Sequence, residues 1–169
     1  MKLFCINNGA VRFFVAVMLP LALFSLSACD KSVLVEENKQ IDNYSWSYED
    51  AKSFEVNIPD TNQQYNILVN LRHSFNFEWR NMWVNIQTVF PDGTSFNKRV
   101  NLLMSEPGGE WHGSCLGDNC DLQVVIQKAA YFPQKGKYTF KISQDMRVNP
   151  LPLVKSVGLR IEKFVLEKQ

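Results

Sequence analysis

The chain has little of what catalysis and metal binding use most. Its 169 residues include two histidines and four cysteines. No CxxC pair and no second ligand pair occurs, which argues against a zinc knuckle or a histidine-rich centre. An excess of charge of one sign is also missing: 18 Lys and Arg stand against 17 Asp and Glu. With no basic patch or stripe, nucleic acid is not an expected partner. The carboxylates Glu55, Asp92, Glu106 and Glu110 are scattered, so no acid–base pair for glycosidase chemistry can be named. Long apolar runs are absent too. The longest, residues 13–24, has twelve residues, reaches Leu26 through Ser25 and contains Pro20. A membrane-spanning helix needs roughly 18–20.

What that short run does resemble is an export signal. Lys2 and Arg12 precede it, and Leu26-Ser27-Ala28-Cys29 follows it. A basic start, an apolar core and small residues directly before cysteine form the pattern of a bacterial lipoprotein signal. In that pattern the Cys29 sulfur takes a diacylglycerol, the chain is cut before it, and the new amine is acylated. An ordinary secretory signal is the closest rival, because Ser27-Ala28 also reads as a small-residue cleavage site. Two acyl chains, at roughly 0.8 kcal/mol per buried methylene, would hold the protein on a membrane without a transmembrane helix. Removing residues 1–28 leaves 141 residues with 16 basic and 17 acidic side chains, enough for one domain with its own core. Residues 29–40 read as a lipidated tether, polar at its end, although Val33-Leu34-Val35 could add an edge strand. Residues 41–169 read as a single domain.

The domain shows a period of two. Phe54, Val56 and Ile58 alternate with Ser53, Glu55 and Asn57, and Tyr65, Ile67, Val69 and Leu71 alternate with Asn66, Leu68, Asn70 and Arg72. The same period holds for Val84 and Ile86, for Tyr138, Phe140 and Ile142, and for Val157, Leu159 and Ile161. Each run buries one face, as half-covered strands do. Pro91-Asp92-Gly93 reads as a hairpin, with proline setting φ and glycine accepting positive φ. Further reversals stand at Pro107-Gly108-Gly109 and at residues 133–136, and Pro150 and Pro152 make a long strand around Leu151 unlikely. Residues 121–130 leave two readings open. Leu122, Val125 and Ile126 have helical spacing, while Val124-Val125-Ile126 favours a strand. About eight short strands without alternating helices imply an all-β, antiparallel, jelly-roll-like β-sandwich.

Chemical candidates cluster between Gly108 and Asp121. After export Cys115 and Cys120 are left as partners for one another, and in an oxidising compartment they close a small loop. The other readings of this segment are a metal site of His112, Cys115 and Cys120, a calcium site of Asp118, Asn119 and Asp121, and a Ser114–His112–acid set without a nucleophile-elbow pattern. The bland reading is a stapled glycine-rich connection with Trp111 packed over the sandwich end. A second opening is the strand that buries Val84 and Ile86, since it turns Trp83, Asn85 and Gln87 outward. An aromatic beside amides suits a sugar or a protein, and Trp83, Asn85, Gln87 and Trp111 form the candidate binding surface. His73 reads as a strand end without a role.

Seven ordered segments carry a family resemblance: residues 65–72; Asn81-Met82-Trp83-Val84; Pro91-Asp92-Gly93; Trp111-His112-Gly113-Ser114 with Leu116-Gly117-Asp118; residues 132–138; Gln144-Asp145-Met146-Arg147; and Leu151-Pro152 followed by residues 157–163. In order and spacing they resemble the GldH gliding-motility lipoproteins of the Bacteroidota. The resemblance implies a lipid-anchored, non-enzymatic accessory protein of the gliding apparatus, linked with type IX secretion, with protein partners in the envelope. It offers no catalytic residue and no cofactor. The chain departs from the family pattern at Cys115 and Cys120. Surface display of lipoproteins in this phylum tends to need an acidic cluster after the lipidated cysteine, and Asp30 is the one acid here, so the expected place is the periplasmic face of the outer membrane. The alternative function is a carbohydrate-binding lipoprotein module of a glycan-uptake system.

Overall fold

A computed structural model describes residues 32–165. The signal segment and the lipidation expected at Cys29 lie outside the described residues. Eleven strands form there: β1 (Val33–Gln40), β2 (Ser45–Trp46), β3 (Lys52–Ile58), β4 (Tyr65–Ser74), β5 (Asn81–Val89), β6 (Ser95–Leu103), β7 (Ser114–Leu116), β8 (Asn119–Ala130), β9 (Gly136–Gln144), β10 (Leu151–Pro152) and β11 (Val154–Lys163). The only helical element among the described residues is a single 3₁₀ turn at Asp42–Tyr44.

Two antiparallel sheets pack face to face. One has the order β1-β11-β4-β8-β7 and the other β3-β9-β5-β6, with β2 and β10 paired at the side. Numbered among themselves, the eight long strands give sheets first–eighth–third–sixth and second–seventh–fourth–fifth. That is the strand order of a jelly roll, the expected fold.

The alternation in the sequence sets the core. Phe54, Val56 and Ile58 of β3, Tyr138, Phe140 and Ile142 of β9, and Val84 and Ile86 of β5 face Val69 and Leu71 of β4 and Val157, Leu159 and Ile161 of β11 in one buried cluster. Trp46 and Tyr65 are the largest fully buried side chains. Large apolar side chains so buried contribute about 1.5–3 kcal/mol each. The β5–β6 turn holds at Phe90, whose N–H donates to Thr94 at 2.8 Å, and at Asp92, whose carboxylate accepts from the Thr94 N–H at 2.9 Å.

Two sequence readings resolve against their polar or helical alternative. Residues 121–130 lie within β8, because the Val124-Val125-Ile126 run fits a pleated surface better than a helix. Residues 33–40, read as tether with an optional edge strand, form β1 along its whole length, paired with β11 from Val33↔Glu162 to Gln40↔Ser156. Their polar side chains are the solvent face of an edge strand, so the sandwich begins at Val33, not at residue 41.

Candidate functional site

The segment before β8 is built by close backbone contact. Gly113 has φ +87, and a Cβ there would stand 2.1 Å from the Asp121 carbonyl oxygen. No other residue type fits at that approach. Cys115 and Cys120 sit opposite each other across the β7–β8 hairpin and are joined by a disulfide. Oxidised sulfur is not a thiolate ligand, so the His112–Cys115–Cys120 site loses two of its three donors. His112 Nε2 lies 3.5 Å from Glu106 Oε1. Among the described residues no hydrogen bond joins Ser114 to His112, so the catalytic set is not assembled.

The three oxygen ligands read as a calcium site are engaged by protein cations. Lys155 Nζ donates to Asp118 Oδ2 at 2.7 Å, to the Asp118 carbonyl at 2.8 Å and to Asn119 Oδ1 at 2.8 Å. Ser74 Oγ adds a hydrogen bond to Asp118 Oδ1 at 2.6 Å. The Lys155 hydrogen bond and then that of Ser74 hold the Asp118 carboxyl below its ordinary pKa. Asp121 is held in a fork by Arg72 Nε and Nη2 at 2.6 and 3.0 Å. No cluster of three or more metal-ligating side chains stands among the described residues.

Beneath this hairpin His73 is fully buried at the end of β4, opposite Cys120. Its ring meets Trp111 edge-on at 4.6 Å and Phe77 at 5.4 Å, and Phe77 in turn meets Trp79 at 5.2 Å. Nδ1 lies 2.8 Å from the Ser74 carbonyl oxygen. A carbonyl only accepts, so Nδ1 carries the proton and Nε2 is a bare acceptor. Nε2 is buried without a partner. Desolvation, the largest influence, pushes the His73 pKa down.

Trp83 stands elsewhere, on the outer face of the β3-β9-β5-β6 sheet with Asn85 and Gln87, all half-buried. The Arg99 guanidinium lies 4.2 Å from the ring centroid and also pairs with Asp145. One face of the indole is thereby occupied by a cation–π contact. The structure does not bring Trp111 to this surface: Trp111 packs into the His73 cluster, and Trp83 does not.

A feature the sequence reading passed over is an open side of the sandwich. β7 pairs only with residues 119–121 of β8. Residues 122–130 therefore have no strand on that side among the described residues. β6 is the last strand of the other sheet. Between these two edges lie an apolar recess of about 320 Å³ over Ile67, Ile86, Ile126 and Phe140 and another of about 580 Å³ beside Leu103, Leu122 and Val124. Phe96 (58% exposed), Tyr131 (65%), Leu103 (50%) and Val125 (41%) stand at their rims. Lys98 Nζ spans the first recess to Gln127 Oε1 at 3.1 Å and has no carboxylate partner among the described residues. Long, apolar open edges are ordinarily covered or broken in soluble proteins. The available signal was the apolar triplet of β8, whose middle residue Val125 points to the solvent side.

No described helix is long and apolar enough to cross a membrane. A family model described as "GldH lipoprotein" matches residues 33–161. A protein of Christiangramia forsetii named gliding motility lipoprotein GldH homolog is 28% identical over 144 residues, covering 81% of this chain and 88% of that protein. The gliding motility lipoprotein GldH of Flavobacterium johnsoniae is 28% identical over 153 residues, covering 86% and 94%. No solved structure matches.

Proposed function

Because this chain belongs to the GldH lipoprotein family, we propose that it is a non-enzymatic docking protein of the gliding and type IX secretion machinery, held by acylated Cys29 on the periplasmic face of the outer membrane. The observation that supports this reading best is the open side between β6 and β8. Its occupant is an extended strand of an envelope protein. The nine-residue free edge of β8 offers a row of backbone donors and acceptors for β-augmentation. Alternate apolar side chains of that strand enter the two recesses, and a carboxylate on it meets Lys98, which has only a neutral amide now.

Two experiments test the reading. Mass spectrometry of the mature N-terminus tests the anchor: a diacylated and amine-acylated Cys29 is expected, and an unmodified Cys29 or cleavage elsewhere contradicts it. Co-purification from solubilised envelope tests the docking. One partner is expected to be lost in Val125→Lys and Phe96→Glu and kept in Trp83→Ala; loss in Trp83→Ala alone contradicts the edge.

A further inference from the structure

The outer face of the β1-β11-β4-β8 sheet carries a row of amides that are bonded to one another. Its central row crosses four strands as Asn38, Gly158, Asn70 and Gln123, each directly opposite the next. Three of the four are amides, and they form one chain of hydrogen bonds. Gln123 Nε2 donates to Asn70 Oδ1 at 2.9 Å, and Asn70 Nδ2 donates to Asn38 Oδ1 at 3.2 Å and to Glu36 Oε1 at 3.0 Å. Gly158 makes this possible. A Cβ there would meet Asn38 Oδ1 at 1.9 Å and the Glu37 carbonyl at 2.6 Å. The Asn38 amide lies flat across the missing side chain.

The result is a concave polar trough of about 510 Å³, within the roughly 300–1,000 Å³ of small-ligand sites. Its charges cancel in place. Arg160 Nη1 pairs with Glu36 at 2.8 Å on one flank, and Arg72 pairs with Asp121 at 2.6 Å on the other. A charged ligand would find no unpaired countercharge in these two pairs. The amide chain keeps a donor, Asn38 Nδ2, at one end and an acceptor, Gln123 Oε1, at the other. Planar groups that both donate and accept match neighbouring hydroxyls, which do the same.

We infer that this trough binds a neutral oligosaccharide, along the row Asn38–Gly158–Asn70–Gln123. It is on the other sheet from Trp83, and it meets the open edge only at Asp121, Leu122 and Gln123 of β8, whereas Asn38 and Asn70 border the trough alone. Its test uses no protein partner, so it stands or falls apart from the docking reading. No aromatic side chain lines it, which places the expected affinity in the weak range of unstacked sugar contacts.

The test is isothermal titration of the full lipidated chain in a zwitterionic, sugar-free detergent. The probes are cellohexaose, chitohexaose, laminarihexaose and maltohexaose, with hexagalacturonate as the anionic control. At least one neutral hexaose is expected to bind with Kd of about 0.1–1 mM. Gln123→Ala and Asn70→Ala each weaken it by about tenfold or more, while Trp83→Ala leaves it unchanged. Gln123 is exposed, so its variant keeps the test valid if Asn70→Ala misfolds. No binding of any neutral probe at about 5 mM, equal binding of hexagalacturonate, or binding that survives Gln123→Ala overturns the inference.

Discussion

Lys155 and Asp118 are joined at 2.7 Å, with the ammonium also bound to the Asp118 carbonyl and to Asn119 Oδ1, both at 2.8 Å. Lys155 is 8% exposed, and all three of its N–H groups are used. A side-chain cation thus sits among oxygens of the kind that bind a metal, and it fastens the β7–β8 hairpin to β11, which lies between β1 and β4.

Calcium should therefore be inert toward the fold. The melting temperature in millimolar calcium and in chelator is expected to agree to within about 1 °C, because a ligand raises it only by binding the native state in preference to the unfolded chain. A rise of several degrees with calcium would refute the Lys155 assignment. Lys155→Met removes three hydrogen bonds and takes the ammonium from Asp118 Oδ2 and Asn119 Oδ1, while the Asp118 carbonyl keeps the Phe75 N–H, for an expected loss of about 1–3 kcal/mol in denaturant unfolding.

His73 makes stability depend on pH. Burial holds its native pKa below the ordinary value, near 6.5 in an open chain. As pH falls through about 6.5 the unfolded chain takes up a proton that the native ring refuses, so stability drops until the native pKa is passed. Asp121 opposes this shift and Lys155 reinforces it. Asp118 acts in a separate window: its carboxyl is lowered, so its contribution is present above about 4 and is lost below. Denaturant midpoints between pH 7.5 and 5 should fall in the native protein and stay flatter in His73→Phe. Equal slopes would contradict the buried neutral ring.

The disulfide is local. Cys115 and Cys120 are five residues apart, and a loop this short contributes on the order of 2 kcal/mol in the chain-entropy model. The double variant Cys115→Ser/Cys120→Ser is expected to fold, with faster hydrogen exchange confined to β7 and the start of β8. Collapse of the whole sandwich would show a larger role.

Gly158→Ala should loosen β1. The added methyl meets the Glu37 carbonyl as well as the Asn38 side chain, and backbone cannot move aside as a side chain can. Overpacking of this kind costs about 1–3 kcal/mol. Hydrogen exchange should rise along Val33–Gln40 while β4 stays protected; unchanged protection of β1 would count against the close approach.

Much of the fold was legible. The alternation of Phe54, Val56 and Ile58, or of Tyr138, Phe140 and Ile142, names the buried face without ambiguity, because a one-residue slip would expose all of it. β1 was harder. An edge strand with a solvent face has the composition of a tether, and only pairing with β11 distinguishes them. The site was less legible still. Trp83 does face outward, but its stacking on Arg99 depends on β5–β6 register. Asp118 and Asn119 look like metal ligands until Lys155 arrives from 36 or more positions away, and Asp121 until Arg72 arrives from 49 away. Asn70 meets Gln123 only across a strand pair. The open edge of β8 is an absence of pairing, which no local pattern announces.

The docking claim is tested most directly by site-specific photocrosslinking in living cells. A benzophenone side chain is placed at Phe96, Val125 and Tyr131 around the open edge, and at Lys141, exposed on β9, as control. Mass spectrometry then identifies the joined peptides. One extended segment of one envelope protein is expected from the three edge positions and not from Lys141. Yields at the edge no higher than at Lys141, or crosslinks scattered over unrelated segments, would contradict the account.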